Sequence, residues 1–184
     1  MERTTWTSQS TPYVRPRPPG ERDAWTDEAA AQGSVGSNEL REVTVAQPPE
    51  GIARALGLVD GEPAIVRRRL VLLDGEPVEI ADSYYPLSVA QGTALAEPRK
   101  IRGGAVTLLE SLGLRPRRVM ETVGARPATK QEQELLRVSP DAWVLTLTRV
   151  TYAADDIPFE ATVMIMIAAG RELRYEVTAP DQEG

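Results

Sequence analysis

Hydrophobic and polar residues alternate most regularly between Pro63 and Pro86, where two extended runs rich in β-branched and aromatic residues flank Asp74-Gly75. That dipeptide reaches positive φ easily and favours a tight turn, so the stretch predicts a long β-hairpin. Alternation places Ile65, Arg67, Arg69, Val71 and Leu73 on one face of the first arm, and Val66, Arg68, Leu70 and Leu72 on the other. An arginine keeps its charge inside a protein. One on a covered strand therefore needs a carboxylate, a run of carbonyls or an anionic ligand beside it.

The rest of the pattern divides into similar units. A first strand starts near Glu39 and Leu40, and Pro48-Pro49 lead into a short helix from Glu50 that Gly57 stops. Ser88 to Gln91 reads as one helical turn. Gly103-Gly104 open a helix with the stripe Val106, Leu108, Leu109 and Leu112, stopped by Gly113. Arg117 to Arg126 predicts a strand, and Thr129 with Glu132 matches a capping box. Trp143–Tyr152 and Ile157–Ile167 form a second long hairpin, Glu172 to Thr178 ends the sheet, and 179–184 frays. A short helix followed by a hairpin carrying arginine thus occurs twice. The expected fold is α+β: a single antiparallel sheet of long hairpins with short helices packed on it, spanning 39–178, with a cleft where helices meet sheet. Residues 1–38, poor in aliphatics and broken by proline and glycine, read as a disordered or loosely draped tail, in which Trp25 either anchors a helical turn or stands exposed.

Composition narrows the function classes. With 27 acidic and 21 basic residues among 184, a formal charge of −6 supplies no diffuse positive field for nucleic acid. Without cysteine there is no disulfide and no thiolate metal site; without histidine there is no imidazole base, ligand or nucleophile partner. Nothing points to a cofactor or metal. No apolar run approaches a membrane span and no secretory leader is visible, so the cytoplasm is the expected compartment.

Several pieces, in order, resemble the UTRA ligand-sensing domain of GntR-type bacterial regulators of the HutC subgroup, a domain similar in fold to chorismate lyase. They are Leu56-Gly-Leu with Gly61-Glu-Pro, Arg69 to Val78 running on to Tyr84-Tyr-Pro, Leu108-Leu-Glu-Ser-Leu-Gly, Glu121 with Ala125-Arg-Pro-Ala-Thr and Glu132, and Leu147-Thr-Arg-Val-Thr-Tyr with Pro158-Phe-Glu. The resemblance implies an effector-binding domain, not an enzyme. It would bind an anionic or polar metabolite and work as a homodimer or with a full-length GntR-type regulator. The winged helix-turn-helix that precedes such domains has no counterpart before Glu39, so direct operator binding is not expected; the initiating methionine favours a free-standing sensor over a fragment. In the family's hairpin motif Arg69 matches the first of two anion-holding arginines and Val71 replaces the second. Gly104 stands where serine is frequent, Val106 where an aromatic is, and Ala81 where a glutamate is, while Glu160 matches the glutamate of the last hairpin.

The candidate ligand contacts are accordingly Arg69, Gly103, Gly104, Glu160, Arg149, Tyr84, Glu121 and Ser83, each with a competing reading. Arg69 either holds a ligand or is neutralised by Glu79, Asp82 or Glu121; Glu160 either accepts ligand hydroxyls or pairs with Arg149. Gly103-Gly104 either bare helix N-terminal amides to an anion or form a plain loop. Tyr84 is a half-buried packing residue in the alternative, and Arg67 and Arg68 read as solvated or interfacial. Two other functions fit less of the pattern: a chorismate-lyase-like enzyme, and a dimerisation module that binds no metabolite.

Overall fold

In the computed structural model, which describes residues 5–18, 21–101 and 103–176, strands β3 (Ala64–Leu73) and β4 (Glu76–Pro86) form the hairpin at Asp74-Gly75. Both turn residues have positive φ, 52° and 84°, the combination a two-residue turn needs to match strand twist. Around this hairpin β2 (Gly36–Ala46), β5 (Arg118–Pro127), β6 (Trp143–Tyr152) and β7 (Pro158–Ile167) complete a six-stranded sheet of order β2-β3-β4-β7-β6-β5, antiparallel throughout. The order is palindromic. Strand, helix and hairpin occur as β2, α2 (Glu50–Ala55), β3–β4 and again as β5, α5 (Lys130–Leu136), β6–β7, and the halves join at β4 and β7. The doubling in the sequence is therefore a doubling of the sheet.

Helices α2 and α5 cover one face. Ile52 and Leu56 bury against Val66, Tyr84, Val150 and Ala161, and Leu136 against Val144 and Ile165. Apolar side chains removed from water in this way stabilise by about 2 kcal/mol each. The capping box forms as expected, Thr129 accepting from the Glu132 amide and Glu132 from the Thr129 amide.

The opposite face is covered by α1 (Ala24–Ala31), α4 (Gly104–Ser111) and the segment around the one-turn α3 (Leu87–Ala90). Here the structure departs from the expected loose tail. β1 (Trp6–Gln9) pairs in parallel with β8 (Arg171–Arg174) as a separate two-stranded sheet, so β8 does not end the main sheet as expected. Asp23 caps α1 through the Thr26 amide at 2.9 Å, and Trp25, 4% exposed, donates from Nε1 to the Leu72 carbonyl at 2.9 Å. Burying Trp25 and Ala29 supplies the stabilisation that the segment's composition lacked. The frayed terminus expected at 179–184 lies outside the described residues. Among the described residues no helix is long and apolar enough to cross a membrane.

Candidate functional site

Between the sheet and this second layer lies a cavity of about 470 Å³. Its floor is the face that alternation assigns to Arg67, Arg69 and Val71 on β3, joined by Ala81 and Tyr85 on β4, Glu160, Thr162, Met164 and Met166 on β7, and Leu147, Arg149 and Thr151 on β6. The start of α4 forms one wall; residues within 8–17 and 21–26, including Tyr13 and Trp25, supply another.

The charges on this floor are largely spoken for. Arg149 Nε donates to Glu121 Oε1 at 2.6 Å, and Arg171 Nη2 to Glu79 Oε2 at 3.1 Å. Burial pushes the Glu79 carboxyl up while neighbouring Arg171 pulls it down. Arg67, 5% exposed, is neither solvated nor interfacial as expected: it donates to the carbonyls of Leu95, Glu97 and Arg99, each at 2.8 Å, pinning the segment after α3 against the cavity face of the sheet. Arg68 lies on the other face, between Glu42 and Asp82. Burial and the adjacent Glu160 raise the Tyr85 hydroxyl well above its ordinary range, so it stays protonated and donates to Glu160 Oε1 at 2.6 Å.

Arg69 is different. The three carboxylates that could have neutralised it are taken: Glu79 by Arg171, Asp82 by Arg68, and Glu121 by Arg149. Among the described residues no carboxylate lies within 4 Å of its guanidinium. Nη2 donates to Ser83 Oγ at 3.0 Å, Ser83 Oγ lies 2.8 Å from Thr162 Oγ1, and the buried Nε has no partner among the described residues.

The candidate residues from the sequence separate accordingly. Arg69, Arg149, Glu160, Gly103 and Gly104 line the cavity. Ser83 lies under Arg69 and orients it, and Glu121 reaches the site only through Arg149. Tyr84 is on the wrong face: it packs with Ile52 and Val66 under α2, because adjacent strand residues point to opposite sides. Glu160 is not paired with Arg149 but holds Tyr85. Gly103 and Gly104 take φ of 77° and 82° to start α4, yet the Gly104 amide donates to the Ile101 carbonyl at 3.1 Å and is not offered to a ligand. The sequence reading missed Tyr13, Thr151, Thr162 and the methionines as lining residues. Period-two spacing from Glu160 marks Thr162, Met164 and Met166, and from Arg149 marks Thr151 and Leu147. Nothing local marks Tyr13.

The site is thus a cavity between an antiparallel sheet and a helical layer, with one arginine in its floor that has no carboxylate within 4 Å among the described residues. The UTRA domain family model matches residues 31–169, and the chain belongs to the UTRA domain family. The chain is 28% identical over 159 residues to an uncharacterized HTH-type transcriptional regulator of Streptomyces coelicolor, covering 84% of this chain and 59% of that protein. It thus spans about three fifths of that relative's length. The effector domain of PhnF from Mycobacterium smegmatis superposes with a TM-score of 0.73 at 22% identity, over 85% of this chain and 95% of that one. The ligand-binding domain of a GntR-family regulator from Bordetella bronchiseptica does so with a TM-score of 0.67 at 25% identity, over 88% and 95%. No winged helix-turn-helix is present among the described residues.

Proposed function

We propose that this chain senses a small anionic metabolite in the cavity whose floor carries Arg69. Occupancy favours one geometry of a dimer, and that preference alters the operator affinity of the regulator the domain serves in the cytoplasm. The domain binds its ligand without transforming it. The observation that carries the reading is Arg69: a fixed charge in a half-buried position, oriented by Ser83, with every nearby carboxylate already engaged elsewhere. A ligand there touches the sheet, α4 and the N-terminal segment at once.

The dimer, either of this chain or with a full-length GntR-type regulator, forms through the sheet. β5 is an edge strand of the main sheet, and Met120 and Val123 on it are 44% and 47% exposed. Such an edge is a template for a strand of a second copy.

Calorimetric titration of a panel of anionic metabolites into wild type and Arg69→Ala tests the binding claim. Binding that disappears in the variant supports it; equal binding by both proteins removes Arg69 from the site.

A further inference from the structure

The cavity floor is not uniform, and its rows can be read from the strand register. The row through Arg67 continues as Ser83, Thr162 and Arg149. The row through Arg69 continues as Ala81, Met164 and Leu147. Arg69 therefore stands on a boundary, with hydroxyls on one side and hydrocarbon on the other. Beyond it Val71 and Met166 extend the apolar half, and the charged pair there, Arg171 with Glu79, is closed on itself at 3.1 Å. Trp25 packs in the same cluster as Ala81, Leu147 and Met164 and closes this half from above.

The hydroxyl row has little to offer a polar guest. Ser83 and Thr162 bond each other, Arg67 is consumed by loop carbonyls and Arg149 by Glu121. Among the described residues, the buried cavity-lining atoms without a partner are Arg69 Nε, Arg171 Nε and Thr151 Oγ1. A polyhydroxylated body lying on the Arg69 row would face Ala81, Met164 and Leu147, which cannot replace the water its hydroxyls lose. A hydrocarbon body there gains from burial, and methionine side chains adapt to its shape.

Resting on the sensor reading above, we propose that the ligand is an amphipathic anion: a carboxylate head on Arg69, with an alkyl or aryl body over Ala81, Met164 and Leu147. On the Arg69 row a sugar phosphate is the weaker guest, because its hydroxyls would meet Ala81, Met164 and Leu147.

The test is calorimetry with unbranched carboxylates from acetate to octanoate, 3-phenylpropionate and glucose 6-phosphate, on wild type, Arg69→Met and Met164→Gln. Affinity rises about 4-fold per added methylene until the apolar half is filled. The rise is lost in Arg69→Met and flattened in Met164→Gln; should the latter misfold, the wild-type series alone decides. Arg69-dependent binding of glucose 6-phosphate with a flat carboxylate series overturns the amphipathic class and leaves the sensor reading standing. Binding of none of these, nor of any member of a broader panel of phosphates, amino acids and nucleotides, overturns both.

Discussion

Arg69 Nη2 donates to Ser83 Oγ at 3.0 Å, a contact that aims the guanidinium from the neighbouring strand without neutralising it. Because Ser83 is itself held by Thr162 on β7, three strands fix the direction of one charge. Replacing Ser83 with alanine leaves the charge and removes its guide. Anion affinity is expected to fall about 2- to 10-fold, the value of one ordinary hydrogen bond, whereas Arg69→Met abolishes it. Titration calorimetry of the two variants checks the ordering.

The Arg149–Glu121 pair, 2.6 Å apart with both side chains largely covered, holds together the floor and the edge strand β5. Glu121 also accepts from Ser10 Oγ at 2.8 Å, tying in the N-terminal segment. Glu121→Gln strands a buried guanidinium and is expected to cost about 3 kcal/mol in urea unfolding. The double variant Arg149→Met with Glu121→Leu recovers most of that loss, since it removes the charge that was stranded.

Gly36 is the point at which α1 rests on β2. A Cβ there would lie 2.8 Å from Ala29 Cβ and 2.9 Å from the Trp25 carbonyl oxygen, a backbone atom that cannot turn aside. Gly36→Ala is therefore expected to lift α1, to lower stability by about 1–3 kcal/mol, and to shift tryptophan fluorescence to the red as Trp25 meets water. Since Trp25 walls the cavity, ligand affinity falls with it.

Much of this arrangement is written locally and some of it is not. Asp74-Gly75 and the Thr129 capping box act within a few residues, so the turn and the helix start were legible, and the covered charge at Arg69 was legible from alternation alone. The partner of a strand side chain is not a local property. Tyr84 and Tyr85 are equally plausible neighbours in sequence; register with β7 decides that Tyr85 meets Glu160, and a bulge at Val71/Leu72 prevents the face from being carried round the turn. The fate of Arg67 depends on carbonyls about thirty residues further on. The order in the N-terminal segment rests on β1 meeting β8 from the far end of the chain, which no pattern in either segment announces.

The Glu132 carboxyl gives a pH dependence of known sign. Hydrogen bonds from Arg126, then from the Thr129 amide and hydroxyl, hold it below its ordinary value of 4.5. The unfolded chain thus takes up this proton more readily than the folded protein. The stabilisation is full above pH 4.5 and is lost as pH falls through the lower folded-state value. Glu132→Gln is expected to cost about 1 kcal/mol near neutrality, the worth of a helix cap. The gap to wild type narrows on acidification below 4.5, as unfolding midpoints measured across pH will show.

The most direct measurement is the arginine Nε–H resonance of Arg69 in a ¹⁵N-labelled sample, assigned by its absence in Arg69→Lys and followed while octanoate and then other anionic metabolites are added. The account predicts that a binding anion moves this resonance, because the Nε–H gains the acceptor that the fold withholds. An anion that binds and shifts the signals of Met164 or Trp25 while the Arg69 resonance stays in place contradicts it.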